Sequence, residues 1–284
     1  MVSNMTYNNN YHNPQHEKIT SKEQKQLMLD MLKFVDRICR KNNIKYSLIG
    51  GSLIGAIRHQ GYIPWDDDID IILTKENYAK LKTILDKETG RYQTLKFGCG
   101  GERFSFLKLI DTKTHIIENS QEKFDPNYGI YIDIFRYNYA PNDEHDRKKY
   151  YKKLKLLVSL TARHGLDFKH DSLPKNLLRF GKNTVSKILG YKTIRKIFQK
   201  TLNQYQNTDY LISNWPLYGP NKEFQLTKNT EGYINAKFEN LTVMIFKNYD
   251  AILRTTYGDY MQLPPKSERK PRHNMKMWWR EENE

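Results

Sequence analysis

The stretch that decides the fold is residues 50–70, which read GGSLIGAIRHQGYIPWDDDID. The glycine pair follows a short apolar run at residues 46–49, and Asp68 and Asp70 begin an alternating apolar run. The two runs predict strands, and residues 53–59 between them predict a helix. Glycines between a strand and a helix let backbone N–H groups approach a phosphate. This order of elements predicts a phosphate-binding site at the edge of an α/β sheet.

Three aspartates lie in or beside predicted strands. Asp68 and Asp70 are two positions apart, so their carboxylates point to the same face of a strand. Carboxylates that close raise each other's pKa unless a cation neutralises them, and hard oxygen ligands suit Mg²⁺ or Mn²⁺. Asp133 lies in the apolar run 130–135, where an unpaired buried carboxylate would be costly. The pattern therefore predicts a metal and phosphate site, and the alternative is an acidic turn at residues 66–68 beside an ordinary loop.

The positive charge of the chain is concentrated in one segment. The 284 residues include 47 Lys or Arg and 32 Asp or Glu, a net charge of +15. Residues 147–200 hold 16 basic and two acidic residues, so the rest of the chain is nearly neutral. Apolar residues at helical spacing among these charges favour amphipathic helices that contact an anionic membrane or acceptor. The alternative is a solvated basic face, and we expect no nucleic-acid partner because the segment lacks a known binding motif.

The remaining composition excludes several classes of protein. No run approaches the roughly 18 uncharged apolar residues that a spanning helix needs. Residues 1–20 lack the apolar region of a secretory signal. The two cysteines, Cys39 and Cys99, are too few for a disulfide framework or a zinc site. We therefore expect a soluble protein of a reducing, cytoplasmic compartment.

Other elements can be predicted from local pattern. Thr20 and Glu23 have the spacing of a capping box at the start of an amphipathic helix that ends near residues 41–43. Residues 104–111 predict a strand, with residues 114–118 as its hairpin partner.

Residues 51–70 resemble the motif of the LicD family of phosphocholine transferases, a branch of the nucleotidyltransferase superfamily that is distantly related to fukutin-type ribitol-phosphate transferases. The resemblance covers residues 25–275 and continues at Lys108, Asp111, residues 129–135, Tyr257-Gly258-Asp259-Tyr260, Pro264-Pro265 and His273. The gap between the glycines and the acidic pair is longer than in the general superfamily pattern and matches the LicD branch.

The resemblance implies an α/β (α+β) fold, with a nucleotidyltransferase-like mixed sheet, flanking helices and a mainly helical accessory region. We expect a disordered leader at residues 1–19 and a catalytic domain at residues 20–142. A basic helical accessory region at residues 143–210 would follow, and residues 211–284 would fold back on the catalytic domain.

The resemblance also implies an activity. The enzyme would transfer phosphocholine from CDP-choline to a sugar hydroxyl of a teichoic acid precursor or lipopolysaccharide and release CMP, with Mg²⁺ or Mn²⁺. Its acceptor would be a lipid-linked glycan at the inner face of the plasma membrane. The alternatives are a different CDP-alcohol donor such as CDP-ribitol, or a nucleotidyltransferase that uses nucleoside triphosphates.

Roles for the site residues follow from the same comparison. Asp68 and Asp70 would hold the metal against the diphosphate, and Asp133 would be a further ligand or the base that takes the acceptor proton. The amides of Gly50 and Gly51, with Ser52, would bind phosphate.

Further candidates have structural alternatives. Arg58, His59 and Lys108 are candidate cationic partners for the diphosphate. The alternatives are that Arg58 pairs with the acidic cluster, that His59 has a structural hydrogen-bond partner, and that Lys108 pairs with Asp133 or Asp111. Trp65 is a candidate for contact with choline, with packing as the alternative. His273 is a candidate substrate contact, although an isolated histidine beyond a proline turn often has no catalytic role.

Overall fold

A computed structural model describes residues 17–95, 104–118, 128–161, 173–273 and 275–281. These residues form a mixed α/β structure, which confirms the predicted fold class. The helices are α1 Ser21–Lys41, α2 Gly50–Ile54, α3 Lys75–Leu85, α4 Glu144–Thr161, α5 Leu173–Leu189, α6 Tyr191–Leu202, α7 Pro220–Glu223 and α8 Tyr249–Tyr257. The strands are β1 Ser47–Leu48, β2 Asp70–Leu73, β3 Tyr92–Thr94, β4 Leu107–Asp111, β5 Thr114–Glu118, β6 Tyr131–Ala140, β7 Tyr210–Ser213, β8 Gln225–Leu226, β9 Tyr233–Phe238, β10 Leu241–Phe246 and β11 Met275–Trp279.

The central sheet is built around β6. Its strand order is β1-β2-β6-β4-β3, and β7 continues the sheet along the second half of β6 and pairs with β8. Strands β2 and β6 run parallel, and the other pairs are antiparallel. Because β6 has neighbours on both edges, its residues lie in the middle of the sheet.

The two faces of this sheet pack against different partners. Ile71 and Ile134 are cross-strand neighbours and lie in the largest hydrophobic core, which also contains the buried face of α1. Ile72 and Phe135, on the opposite face, pack with Phe246 and with Ile252 of α8. Each such fully buried side chain contributes about 1.5–3 kcal/mol relative to exposure. The catalytic candidates lie on this second face.

Helix α1 begins as predicted. The Thr20 Oγ1 accepts a hydrogen bond from the Glu23 backbone at 3.2 Å, and the Glu23 carboxylate accepts one from the Thr20 backbone at 2.7 Å. This capping box satisfies two of the unpaired amides of the first turn. The helix ends at Lys41, in agreement with the predicted boundary.

The helix predicted at residues 53–59 begins earlier and ends differently. It starts at Gly50, and after Ile54 it continues as a π-helical turn over Gly55–His59. Gln60 then takes a left-handed conformation with φ of 56° and ends the turn.

The basic segment forms helices with a small core of their own. Leu154 of α4 packs with Ile194 and Phe198 of α6, and Ile212 of β7 closes this core. Across the described residues, no helix has the length and apolar character needed to cross a membrane.

The C-terminal strand contradicts one sequence prediction. β5 does not form a hairpin with β4, because both edges of β4 are occupied by β3 and β6. β5 pairs instead with β11, which begins at Met275.

The first described residues of the chain also pair with β11. Lys18 forms a bridge with Trp278, and the Ile19 backbone donates to the Met277 carbonyl at 3.0 Å. Residues 17–19 are therefore hydrogen-bonded, in contrast to the disordered leader predicted for residues 1–19. The rest of that leader lies outside the described residues.

Candidate active site

The register of three neighbouring strands brings the predicted residues together. Asp70 of β2 is the direct neighbour of Asp133 of β6, and Lys108 of β4 is its neighbour on the other side. Side chains at directly paired positions share a face of the sheet. Two carboxylates and one ammonium group therefore lie in a row across the middle of the sheet.

Lys108 forms a buried ion pair with Asp133. The Nζ–Oδ1 distance is 2.7 Å, and the two side chains are 3% and 15% exposed. The ammonium group also lies 3.1 Å from the centroid of the Tyr131 ring. Other aromatic rings near it belong to Phe104, Phe106 and Tyr128. This ion pair is one of the alternatives that the sequence left open for Lys108.

The other alternative for Lys108 does not occur. Asp111 is fully buried and is bound by the Arg91 guanidinium, with an Nη2–Oδ2 distance of 2.7 Å. Asp111 therefore stabilises the fold at the end of β4. The positive charge of Lys108 is paired with Asp133 in the candidate site.

The carboxylates of residues 66–70 carry more negative charge than their surroundings balance. Burial, followed by repulsion from Asp68 and Asp67, raises the pKa of Asp66 to about 7. Burial, with Asp68 and Asp133 adding repulsion, raises the pKa of Asp70 well above its ordinary value. Burial also raises the pKa of Asp68, although His273 opposes the shift. Such a cluster favours a bound cation.

Two residues of the glycine motif position this cluster. A Cβ on Gly51 would lie 2.3 Å from Oδ2 of Asp66, so only glycine lets the carboxylate approach this backbone. Ser52 is buried, and its Oγ accepts a hydrogen bond from the Asp70 backbone at 3.0 Å. Gly50 has a φ of +64° and lines a cavity beside Asp70. The phosphate contacts predicted for these three residues remain predictions.

Arg58 contacts backbone carbonyls near the C-terminal end of the described chain, and His59 contacts Arg58. The Arg58 guanidinium donates to the carbonyls of Tyr260 at 2.6 Å and Gln262 at 3.2 Å. Its Nε donates to Nε2 of His59, and burial together with Arg58 lowers the pKa of His59. The structure thus gives Arg58 two backbone carbonyls in place of the acidic cluster, and the diphosphate role of both residues remains a prediction.

Trp65 packs between other side chains. Its ring lies 6.4 Å from the His59 ring, and the Arg269 guanidinium lies 5.5 Å from its centroid. The packing alternative accounts for these contacts, and contact of Trp65 with choline remains a prediction.

His273 is brought to the acidic cluster by the returning chain. Its backbone donates to Oδ2 of Asp67 at 3.0 Å, and its Nδ1 lies 3.1 Å from Oδ1 of the same carboxylate. Nδ1 also lies 3.8 Å from the Asp68 carboxylate. Ligand atoms of these three residues lie within 4.8 Å of one another, which is close enough to share a metal ion. Asp68 therefore belongs to two candidate donor sets.

Three further residues lie around the cluster without a role predicted from sequence, and they are Tyr218, Tyr257 and Arg272. Burial lowers the pKa of Arg272, but the nearby Tyr218, Tyr257, Asp66 and Asp68 outweigh burial and raise it. The hydroxyls of Tyr218 and Tyr257 hydrogen-bond to each other. Two of the three residues have a signal in the sequence, because Tyr257 lies in the motif at residues 257–260 and Arg272 is adjacent to His273. No local sequence pattern places Tyr218 near the site. Arg272 is exposed, and its charge interacts with the Asp66 and Asp68 carboxylates.

The chain is similar in sequence to known proteins. Residues 43–186 match the family described as LicD/FKTN/FKRP, nucleotidyltransferase domain. The chain is 30% identical over 271 residues to the lipopolysaccharide cholinephosphotransferase LicD of Haemophilus influenzae, a match that covers 90% of this chain and 97% of that protein.

The chain belongs to the LicD family. This confirms the family predicted from residues 51–70 and the prediction of a phosphotransferase.

Shorter similarities involve other relatives. An uncharacterised Rickettsia prowazekii protein, RP689, is 33% identical over 125 residues, 43% of this chain and 44% of that protein. The human ribitol 5-phosphate transferase FKRP is 34% identical over 58 residues, 20% of this chain and 12% of that protein. Relatives named as a cholinephosphotransferase and as a ribitol 5-phosphate transferase thus share part of this sequence.

Proposed function

We propose that this LicD-family enzyme transfers phosphocholine from CDP-choline to a sugar hydroxyl of a cell-surface glycan precursor, a lipopolysaccharide or a teichoic acid, and releases CMP. The observation that carries the proposal is the row of Asp70, Asp133 and Lys108 beside the glycine motif. The phosphocholine group and a lipopolysaccharide acceptor are suggested by the relative named as a lipopolysaccharide cholinephosphotransferase, and the CDP-choline donor by the family resemblance of residues 51–70.

The donor set fits a divalent cation. Asp68 and Asp70 are partly buried carboxylates that repel each other, and hard oxygen ligands of this kind suit Mg²⁺ or Mn²⁺. Asp133 and the pair of Asp67 and His273 are further candidate ligands. A bound ion would supply charge neutralisation at the diphosphate.

The residues of the chain would support an in-line displacement. The acceptor hydroxyl loses its proton, and its oxygen forms a bond to the phosphorus of phosphocholine. The bond from that phosphorus to the bridging oxygen breaks, and CMP leaves with the electron pair. Asp133 is either the base that takes the proton or a metal ligand, and Lys108 offsets its charge at 2.7 Å. Arg272, whose charge interacts with Asp66 and Asp68, would contact phosphate oxygens of the donor.

The proposal is tested by CMP release from CDP-choline with Mg²⁺ and with a chelator. We expect Asp70→Asn to lower kcat at least about a hundredfold, because it removes one charge from the donor set. Asp146→Asn, which alters an exposed carboxylate in the first turn of α4, is the matched control. Full activity of Asp70→Asn would contradict the mechanism. Release of CMP from CDP-ribitol alone, or activity with nucleoside triphosphates alone, would favour one of the alternative donors.

We also propose that the enzyme works at the cytoplasmic face of the plasma membrane, where it meets a lipid-linked acceptor. Helix α5 exposes Leu177, Phe180 and Ile188, which are 74%, 70% and 78% exposed. Their spacing of three and eight residues puts them on one face of the helix. The helix contains four basic and no acidic residues. A basic helix with an exposed apolar stripe is suited to an anionic interface.

A further inference from the structure

A cavity of about 60 Å³ opens beside Asp70, between β6, α8 and the segment of residues 213–225. Aromatic rings form part of its wall and belong to Phe135, Tyr137, Trp215, Tyr218 and Tyr257. Gly50 and Asp70 line the cavity at the end nearest the acidic cluster. If the phosphorus of the donor lies at the acidic cluster, the donor atoms attached to it can reach this cavity.

Two buried residues of the cavity, Gln225 and Glu223, present oxygen atoms that attract positive charge. Gln225 is only 2% exposed; its Nε2 donates to Thr256 at 3.3 Å, while its Oε1 accepts no hydrogen bond from any residue that the structure describes. The Glu223 carboxylate is also buried, and it is held by backbone amides, among them those of Leu217 and Gly219. A buried carbonyl oxygen without a donor is unfavourable unless a ligand compensates it.

These features favour one class of ligand. Aromatic faces, a carboxylate and an uncompensated carbonyl oxygen all attract positive charge, and aromatic faces bind quaternary ammonium groups in particular. The hydroxyls of Tyr218 and Tyr257, which also line the cavity, form a hydrogen bond with each other. Lys222, the basic residue among the described lining residues, is exposed.

We propose that this cavity binds the trimethylammonium group of the donor, with Trp215, Tyr218 and Gln225 as the residues that determine specificity. The inference rests on the proposed function, since it assigns the choline end of CDP-choline to a part of the same site. A cytosine ring is the competing occupant, because it could also stack on aromatic side chains.

The test measures binding and turnover on the same variants, with Mg²⁺ present. Equilibrium titrations use phosphocholine, phosphoethanolamine and CMP as separate probes, and turnover is CMP release from CDP-choline. We expect the wild type to bind phosphocholine more tightly than phosphoethanolamine. We expect Trp215→Leu and Gln225→Leu to weaken phosphocholine binding about tenfold and to raise KM for CDP-choline similarly, with CMP binding changed less than about twofold.

Two further variants guard against misfolding. Tyr218→Leu alters a ring that is 40% exposed, so its fold is at little risk, and it should show the same selective loss. Trp278→Leu on β11 is the matched tryptophan control and should bind phosphocholine as the wild type does.

The outcomes separate the two proposals. Equal weakening of CMP and phosphocholine would place the nucleotide in the cavity and overturn the inference. Phosphocholine binding that is unaffected in Trp215→Leu, Gln225→Leu and Tyr218→Leu would also overturn it. Selective loss of phosphocholine binding together with a wild type that does not turn over CDP-choline would support the cavity and contradict the proposed reaction.

Discussion

A Cβ at position 51 would lie 2.3 Å from the Asp66 carboxylate, so any residue other than Gly51 would clash with that carboxylate. The contact links the glycine motif to the acidic cluster in a way that spacing alone does not indicate. Ser52 adds the second link, because its hydroxyl accepts a hydrogen bond from the Asp70 backbone. At the scale of the residue, the motif fixes the positions of carboxylates.

We expect Gly51→Ala to destabilise the protein by about 1–3 kcal/mol and to lower kcat at least about tenfold, because the added methyl group displaces the Asp66 carboxylate. Gly90→Ala is the control, since a Cβ there meets nothing within 4 Å. Chemical denaturation and CMP release measure the two effects. Wild-type activity in Gly51→Ala would show that the position of Asp66 does not matter.

A second prediction concerns Arg58. Arg58→Met removes the hydrogen bonds to the carbonyls of Tyr260 and Gln262, so we expect a lower melting temperature together with a lower kcat. If Arg58 instead binds the diphosphate, KM for CDP-choline should rise at an unchanged melting temperature. Thermal unfolding and steady-state kinetics of the one variant therefore distinguish the two roles.

At the scale of elements, local pattern predicted the strands that carry the site. The runs at residues 68–73, 104–111 and 130–135 contain the alternation of β2, β4 and β6, so Asp70, Lys108 and Asp133 could be found from sequence. The pairing of β5 with β11 could not, because it joins residues about 160 positions apart and depends on which sheet edges other strands leave open. Gln225 lies on a two-residue strand, and its burial follows from tertiary packing alone.

The exposed face of α5 leads to a prediction at this scale. Phe180→Ser should weaken binding to vesicles that contain phosphatidylglycerol about tenfold, because a phenylalanine ring would no longer enter the interface. Ile234→Ser, which alters an exposed apolar residue on β9, is the control. Co-sedimentation at low salt measures both. Equal binding of Phe180→Ser and the wild type would contradict a role for α5, and charge reversal at Lys152, Lys153 and Lys155 would then test α4.

At the scale of the whole molecule, the acidic cluster makes stability depend on pH and metal. The pKa of Asp66 is raised from 3.8 to about 7 in the folded protein. The stability that this carboxyl contributes is therefore fully present below pH 4 and is lost as pH rises through about 7. Burial raises the pKa of Glu223 to about 7 as well, so it acts in the same direction.

We accordingly expect the metal-free protein to melt at a lower temperature at pH 8 than at pH 5.5. Added Mg²⁺ should raise the melting temperature more at pH 8, where the carboxylates are ionised and repel each other. Thermal unfolding with Mg²⁺ or a chelator at both pH values tests this, and Asp70→Asn should remove most of the gain. An equal gain at both pH values would contradict a metal held by these carboxylates.

The hydrogen bond between His273 and Asp67 joins residues 206 positions apart, and β11 closes on residues near the start of the described chain. Contacts of such long sequence separation form slowly, because a large loop must close before they give any stabilisation. During synthesis, the carboxylates at residues 66–70 leave the ribosome long before Arg272 and His273 exist to accompany them. The growing chain therefore carries an acidic site without these two partners until about 200 further residues have been added.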